Sequence, residues 1–127
     1  MFKLHAKGSE ATEAIEYRVA GSAIGRGVLV KYYSGKLAVA SGTDVPEYVT
    51  LGASTASGDE IPVKRIYEDE IYETVLQAAG TSLNLGDKVT VYTDGAQVTA
   101  TTTNGIFEII EMDGTAVGSK VRGLFRR

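Results

Sequence analysis

The residues that could take part in catalysis are few in this chain. His5 is the single histidine, so a Ser-His-Asp triad would depend on it entirely. Ser54 lies in Gly52-Ala53-Ser54-Thr55-Ala56, which departs from the G-x-S-x-G nucleophile elbow at its last position. His5 and Ser54 define a hydrolase hypothesis, and it requires the fold to bring two side chains together that are far apart in the sequence.

Carboxylates cluster between positions 59 and 70. Two of them could do acid–base work if the fold held them about 5–10 Å apart, as in glycosidases. An acidic run between two β-type segments more simply marks a solvated turn, and the D-x-[DN]-x-[DN]-G pattern of a calcium loop is absent from the sequence. We therefore predict a turn and no metal site for these residues, which are Asp59, Glu60, Glu68, Asp69 and Glu70.

Two further motifs bear on cofactors. Gly21, Gly25 and Gly27 follow the order G-x-x-x-G-x-G, whereas a dinucleotide fingerprint needs G-x-G-x-x-G opening a helix. Asp87-Lys88 resembles the pair at which lipoyl domains carry their cofactor, but it leads directly into the strand-like Val89-Thr90-Val91. The chain has no cysteine, which excludes thiol nucleophiles and Cys-type zinc sites. The sequence therefore predicts no cofactor.

The charge and hydropathy of the chain constrain its partners. The net charge is −3 and the pI is near 5.1, which argues against nucleic acid as a direct partner. No stretch approaches the roughly 20 apolar residues that span a bilayer, and positions 1–20 lack the apolar core of a signal peptide. We expect a soluble protein with no membrane partner. The basic cluster near the C-terminus predicts a solvated surface or a contact to an acidic neighbouring subunit; it comprises Lys120, Arg122, Arg126 and Arg127.

The elements that must position these residues are predicted to be β-strands. A chain of 127 residues fits one domain, and its apolar content is skewed towards Val, with Thr, Tyr and Gly also abundant. Short β-type runs recur between turn pairs such as Asp94-Gly95, Asn104-Gly105 and Asp113-Gly114. The pattern predicts an all-β fold, a compact barrel or sandwich of eight or nine short antiparallel strands. At most one short helix is expected, within 9–16 or 74–80.

The first 20 residues are predicted to form an extended N-terminal arm, and residues 21–127 a single β domain. Phe2 and Leu4 alternate with polar residues, and Thr12 to Val19 places Ile15, Tyr17 and Val19 on one face of a strand. Such an arm could add a strand to an open sheet edge, its backbone giving affinity and its side chains giving register. The candidate binding residues of the arm are Phe2, Leu4, Ile15, Tyr17 and Val19.

The arrangement of turns and strands over about residues 26–125 resembles a known family. The residues that carry the resemblance are the glycine-opened hairpin at Gly27, the Pro46 loop before Tyr48-Val49, and the segments Leu83-Asn84-Leu85-Gly86-Asp87-Lys88-Val89, Asp94-Gly95, Asn104-Gly105-Ile106-Phe107-Glu108 and Met112-Asp113-Gly114-Thr115. The chain is similar to the small head decoration, or capsid cement, proteins of tailed bacteriophages, including those with a β-tulip fold.

That resemblance implies a structural role without catalysis. It implies a protein made in the host cytoplasm that joins the outer surface of an assembled virion and contacts the major capsid protein. It also implies homotrimers at three-fold and quasi-three-fold positions, cementing neighbouring capsomers of the expanded, DNA-filled head. Residues suited to contacts between subunits are Tyr32, Tyr33, Tyr72, Arg122 and Arg126.

A second hypothesis comes from the aromatic residues. Exposed Tyr32, Tyr33 or Tyr72 could stack against a carbohydrate on a concave surface, which would make the chain a ligand-binding β module. It predicts a free monomer with an aromatic platform, whereas the capsid hypothesis predicts apolar contact surfaces between proteins.

Overall fold

A computed structural model of the protein describes residues 1–7 and 15–126. In this part of the chain ten strands form two five-stranded antiparallel sheets and no helix is present, so the all-β prediction is confirmed. The strands are β1 (Lys3–Lys7), β2 (Ile15–Val19), β3 (Leu29–Tyr33), β4 (Lys36–Val39), β5 (Tyr48–Thr50), β6 (Glu60–Arg65), β7 (Glu70–Val75), β8 (Lys88–Val89), β9 (Phe107–Met112) and β10 (Lys120–Phe125). Part of the helix considered at 9–16 lies outside the described residues.

The N-terminal segment contributes one strand to each sheet. Sheet A has the order β1-β7-β10-β9-β8, and sheet B has the order β2-β6-β5-β3-β4. β1 pairs with β7, and β2 pairs with β6 in a continuous register from Ile15 opposite Lys64 to Val19 opposite Glu60. Residues 3–7 and 15–19 thus belong to the folded body rather than to an extended arm, and residues 8–14 between them lie outside the described residues.

Three of the turns carry out the pairing that the sequence predicts, in different ways. Ser34 and Gly35 both have positive φ and join β3 to β4 in a tight hairpin. Asp94-Gly95 also makes a turn, but the predicted strand at 97–103 is reduced to bridges of Val98 with Leu76 and Val91. Asp113-Gly114 opens a longer loop before β10. Wherever the two sides of a turn are not in register, the strands stay short.

A first hydrophobic core lies between the two sheets. Phe2, Phe107 and Phe125 contact one another there, with ring centroids 5.2 to 5.7 Å apart. Tyr72 joins this group at 5.4 Å from Phe125, while Leu29 and Val49 belong to the same core from sheet B. The first residues of the chain are therefore held by the largest apolar cluster among the described residues.

Sheet B curls around a second core. Val30, Leu37 and Tyr48 belong to this cluster together with Ile61 and Val63. Ala20, directly after β2, bridges Leu37 in β4, which brings the two ends of the sheet together at this point. The curvature leaves β2 as the edge strand of sheet B, with β6 as its one strand partner among the described residues.

Candidate functional site

The most exposed apolar stripe of a strand lies on β2. Along this strand Ile15, Tyr17 and Val19 are exposed while Glu16 and Arg18 between them are half-buried. The exposed fractions are 58% for Ile15, 58% for Tyr17 and 37% for Val19. A surface strand usually turns its apolar residues inward. Here the alternation predicted from the sequence is present, but its apolar side faces outward; we call these three residues the β2 stripe.

A polar cluster at the end of the second core fixes this orientation. Tyr48 is fully buried, and its hydroxyl lies 2.6 Å from Arg65 Nη2 and 3.0 Å from the Tyr32 hydroxyl. Arg18 donates from Nε to the Tyr32 hydroxyl at 3.1 Å, and it forms an ion pair with Glu16. Burial, together with the hydrogen bond to Tyr32, raises the pKa of Tyr48 above its ordinary value. Because Glu16 and Arg18 have partners inside the curve of the sheet, the β2 stripe points out.

Two of the predicted arm residues have a different role. Phe2 is 1% exposed, packs against Phe107 and Phe125, and donates from its backbone N–H to the Gly27 carbonyl oxygen at 2.8 Å. Leu4 is half-buried against the same core. The prediction that Phe2 binds another protein is therefore wrong: its burial in the fold offers more apolar contact than an edge outside could. Ile15, Tyr17 and Val19 remain accessible.

The tyrosines do not form a common platform. Tyr72 is fully buried in the first core, so it cannot contact another subunit or a sugar, which corrects that prediction. Tyr32 and Tyr33 are both exposed, but they are neighbours in β3 and so point to opposite faces of sheet B. The hydroxyl of Tyr32 is also bonded to Tyr48 and Arg18. An aromatic surface for carbohydrate stacking is not assembled from these three residues.

The two arginines expected at subunit contacts differ. Arg122 lies on the outer face of sheet A, where its guanidinium is 3.0 Å from Glu73, 3.0 Å from Glu111 and 3.1 Å from Asp113. These three carboxylates engage it within its own chain. Arg126 forms a single ion pair, with Glu108 at 3.4 Å, and its side chain is 40% exposed. Arg126 is therefore the more accessible of the two, and Arg127 lies outside the described residues.

The hydrolase residues are placed in unrelated structural roles. Ser54 is buried, and its hydroxyl accepts from the Ile24 N–H at 2.8 Å and donates to the Ser22 carbonyl at 2.7 Å. His5 lies in β1 on the other sheet, with Nδ1 at 4.0 Å from Glu73. Ser54 thus closes the loop before β3 with both of its hydrogen-bonding functions.

The acidic run contains a feature that the sequence did not indicate. Glu68 and Asp69 are exposed at a turn, as predicted, but Glu70 is fully buried beside Lys64 and Tyr72. Lys64 Nζ is 2.6 Å from Glu70 Oε1 and 3.0 Å from the Tyr72 hydroxyl. The available signal was the i, i+2 spacing of Glu70 and Tyr72, which places both on one strand face. Their partner on β6 was not predictable without the topology.

The lysine of the lipoyl-like pair follows a structural turn. Asp87 accepts from the Asn84 N–H at 2.9 Å, and its own N–H donates to the Asn84 carbonyl at 3.1 Å. Gly86, with a φ of +96°, completes the turn, and Lys88 begins β8. The position of Lys88 in a strand agrees with the turn interpretation.

The chemistry and relatives of the chain supply no further assignment. Within residues 1–7 and 15–126, no group of three His, Asp or Glu side chains could hold a metal ion. The same residues include no helix that could cross a membrane. No protein-family model matches the chain, and no curated protein is significantly similar to it in sequence. The β2 stripe on its open strand edge is thus the candidate site that the geometry favours.

Proposed function

We propose that this protein is a structural component of a tailed-bacteriophage virion. It binds the outside of the assembled icosahedral capsid and cements neighbouring capsomers, which stabilises the expanded, DNA-filled head. Its partner is the major capsid protein, and it acts as a homotrimer at three-fold and quasi-three-fold sites. The chain is made in the host cytoplasm, makes no direct contact with nucleic acid or membrane, and needs no catalytic step.

The observation that carries this proposal is the β2 stripe. Single exposed apolar residues are common on protein surfaces and need no explanation. Three in succession on one face of an edge strand combine exposed apolar area with an open row of backbone donors and acceptors, and such strands pair readily with other chains. A protein whose task is assembly requires a surface of this kind. Ile15, Tyr17 and Val19 provide it at one edge of the molecule.

The rest of the body supports a mechanical role. Two cores and an ion-pair network around Arg122 hold both sheets, and the first residues of the chain are fixed by Phe2. A clamp on a lattice needs modest contacts repeated over many copies, because linked contacts add up to an avidity that no single one has. The strand pattern over residues 26–125 that resembles capsid cement proteins agrees with this role.

The proposal is tested by binding to capsids. The purified protein is incubated with expanded and unexpanded particles of the tailed phage with which it copurifies, after removal of bound copies, and sedimented. We expect saturable binding to the outside of expanded particles and a higher temperature of DNA release from the filled heads. A wild-type protein that stays in the supernatant at all concentrations would rule out the proposed function.

A matched pair of variants locates the contact. Tyr17→Lys places a charge in the middle of the β2 stripe, whereas Thr103→Lys places the same charge at an exposed turn. We expect Tyr17→Lys to reduce occupancy on the particle and Thr103→Lys to leave it unchanged, with equal thermal stability of both proteins. Equal occupancy of the two variants would show that the stripe has no part in binding.

A further inference from the structure

The sequence of β2 is complementary to itself when it is read backwards. Its five residues are Ile15, Glu16, Tyr17, Arg18 and Val19. In an antiparallel pair of two such strands centred on Tyr17, Ile15 lies opposite Val19, Glu16 lies opposite Arg18, and Tyr17 lies opposite itself. Every apolar residue then meets an apolar residue and every charge meets its opposite.

Other registers lose this match. A shift by one residue sets Glu16 against Val19 and Arg18 against Tyr17, and it also turns the faces of the two strands out of agreement. A shift by two residues sets either Arg18 against Arg18 or Glu16 against Glu16, and like charges directly opposite each other are destabilising. One register is therefore favoured by charge complementarity as well as by apolar contact.

The backbone of β2 is oriented for such a pair. The Ala20 N–H donates to the Asp59 carbonyl at 2.8 Å, on the side of β6. Successive residues of a strand direct their N–H and C=O groups to opposite edges. The groups of Ile15, Tyr17 and Val19 therefore face the outer edge, where β2 has no strand partner among the described residues. The bridge to β4 is made by Ala20, beyond the end of the strand.

We propose that β2 pairs antiparallel with β2 of a second copy of this chain, about a two-fold axis at Tyr17. The pair joins the two B sheets into one continuous sheet, with the two β2 stripes side by side on its outer face. This surface is isologous, since the same residues contribute from both copies. The occupant of the edge is thus a second copy rather than a strand of another protein.

Arg18 adapts to this pairing. In the single chain its Nη1 donates to the carbonyl oxygen of Tyr17 at 2.8 Å, at the open edge itself, and its Nη2 contacts Glu16. In the paired state the Glu16 of the second copy lies directly opposite Arg18 and can accept the guanidinium N–H that leaves the Tyr17 carbonyl. The Tyr17 carbonyl then accepts from the backbone N–H of the second copy. Donors and acceptors are conserved in the exchange.

The short strand sets the expected strength. A pair of five-residue strands gives a weak contact between free molecules, because two-stranded pairing alone is marginal in water. Copies held side by side on a particle meet at a far higher effective concentration, so the same contact closes there. This consequence for the particle rests on the proposed function, whereas the pairing itself does not.

Disulfide trapping tests the pairing, since the chain contains no cysteine. Tyr17→Cys places two thiols on residues whose Cα atoms would be about 5.5 Å apart, within the range that a disulfide bridges. We expect mild oxidation to give a covalent dimer at least about tenfold faster than Thr103→Cys, because pairing raises the effective concentration of the thiols. Ile15→Cys and Val19→Cys should form dimers when mixed and not when oxidised separately.

The experiment is done in solution at high protein concentration and again on particles with bound protein. Dimers of Tyr17→Cys no faster than the Thr103→Cys control under both conditions would overturn the pairing, as would a mixture of Ile15→Cys and Val19→Cys that forms none. Covalent attachment of Tyr17→Cys to a capsid cysteine in place of dimers would also overturn it. Dimers in solution from a protein that binds no particle would support the pairing and contradict the proposed function.

Discussion

Lys64 and Glu70 form an ion pair in the interior of the protein, with 2.6 Å between Nζ and Oε1. The side chain of Lys64 is 2% exposed and that of Glu70 is fully buried. Lys64 belongs to β6 of sheet B and Glu70 to β7 of sheet A, so the pair joins the two sheets. Lys64 also donates to the Arg65 carbonyl at 2.7 Å, and the Tyr72 hydroxyl contacts both charged groups.

Breaking this pair should destabilise the fold more than removing it. Lys64→Met leaves the Glu70 carboxylate buried without its cation, and we expect a loss of about 3–5 kcal/mol in the free energy of unfolding. The double variant Lys64→Met, Glu70→Leu removes both charges and should recover most of that loss. Urea denaturation of the wild type and the variants measures it. A double variant as unstable as the single one would show that the pair contributes more than mutual compensation.

Phe2 should be required for stability although it is the second residue. Phe2→Ala removes an aromatic ring from the first core, and we expect a cost of about 3–5 kcal/mol. Ile15→Ala, on the exposed β2 stripe, should change the free energy of unfolding by less than about 0.5 kcal/mol. Thermal and urea denaturation compare the two. Equal stability of Phe2→Ala and wild type would mean that the N-terminal strand is detached in solution.

The stability should fall in acid partly through Glu73. Burial raises the pKa of this carboxyl, but the hydrogen bond and charge of Lys3, together with Arg122, outweigh that effect and hold the net pKa below its ordinary value. A carboxyl with a lowered folded pKa stabilises the protein above its unfolded pKa of about 4.3, and this contribution is lost as the pH falls through the folded value.

Glu73→Gln provides the matched comparison for that dependence. At pH 7 the variant should have a lower Tm than the wild type, and the difference should shrink as the pH falls below about 4. Tm values measured by circular dichroism across this range give the dependence. Parallel curves for the two proteins down to the acid limit would show that Glu73 does not contribute to it.

The two glycines Gly105 and Gly35 should respond differently to alanine. A Cβ on Gly105 would lie 2.0 Å from the Lys88 carbonyl oxygen, so the backbone must move, and we expect a cost of about 3 kcal/mol. Gly35 has a φ of +80° and open space around it, so Gly35→Ala carries only the conformational strain, about 1 kcal/mol. Denaturant unfolding of both variants measures the difference. The reverse order would mean that the β8–β9 connection gives way easily.

The strands were predictable where local pattern decides them. Ser34-Gly35 predicted the β3–β4 hairpin because positive φ is needed there, and alternation predicted the strand that ends at Val19. The direction in which β2 faces was not predictable, since it depends on Tyr48 and Arg65, which come from distant parts of the chain. The burial of Phe2 was missed for the same reason: its partners Phe107 and Phe125 are near the other end of the sequence.

The tests of function differ in what the sequence could supply. The β2 stripe was visible as an apolar alternation, and its self-complementary charges follow from the same five residues. Its exposure and its open edge required the sheet order, in which β2 is terminal. Glu70 shows the opposite case, because a residue in a solvated acidic run is taken into the interior by a lysine on another strand.

The central claim, that this protein cements the outside of a phage capsid, is tested most directly by an electron-microscopy map of the particle with which it copurifies. The account predicts density for the two-sheet body on the outer surface of the expanded shell at three-fold and quasi-three-fold positions, with the β2 edges of neighbouring copies facing each other. A map at side-chain resolution with no such density on the outer surface would contradict it.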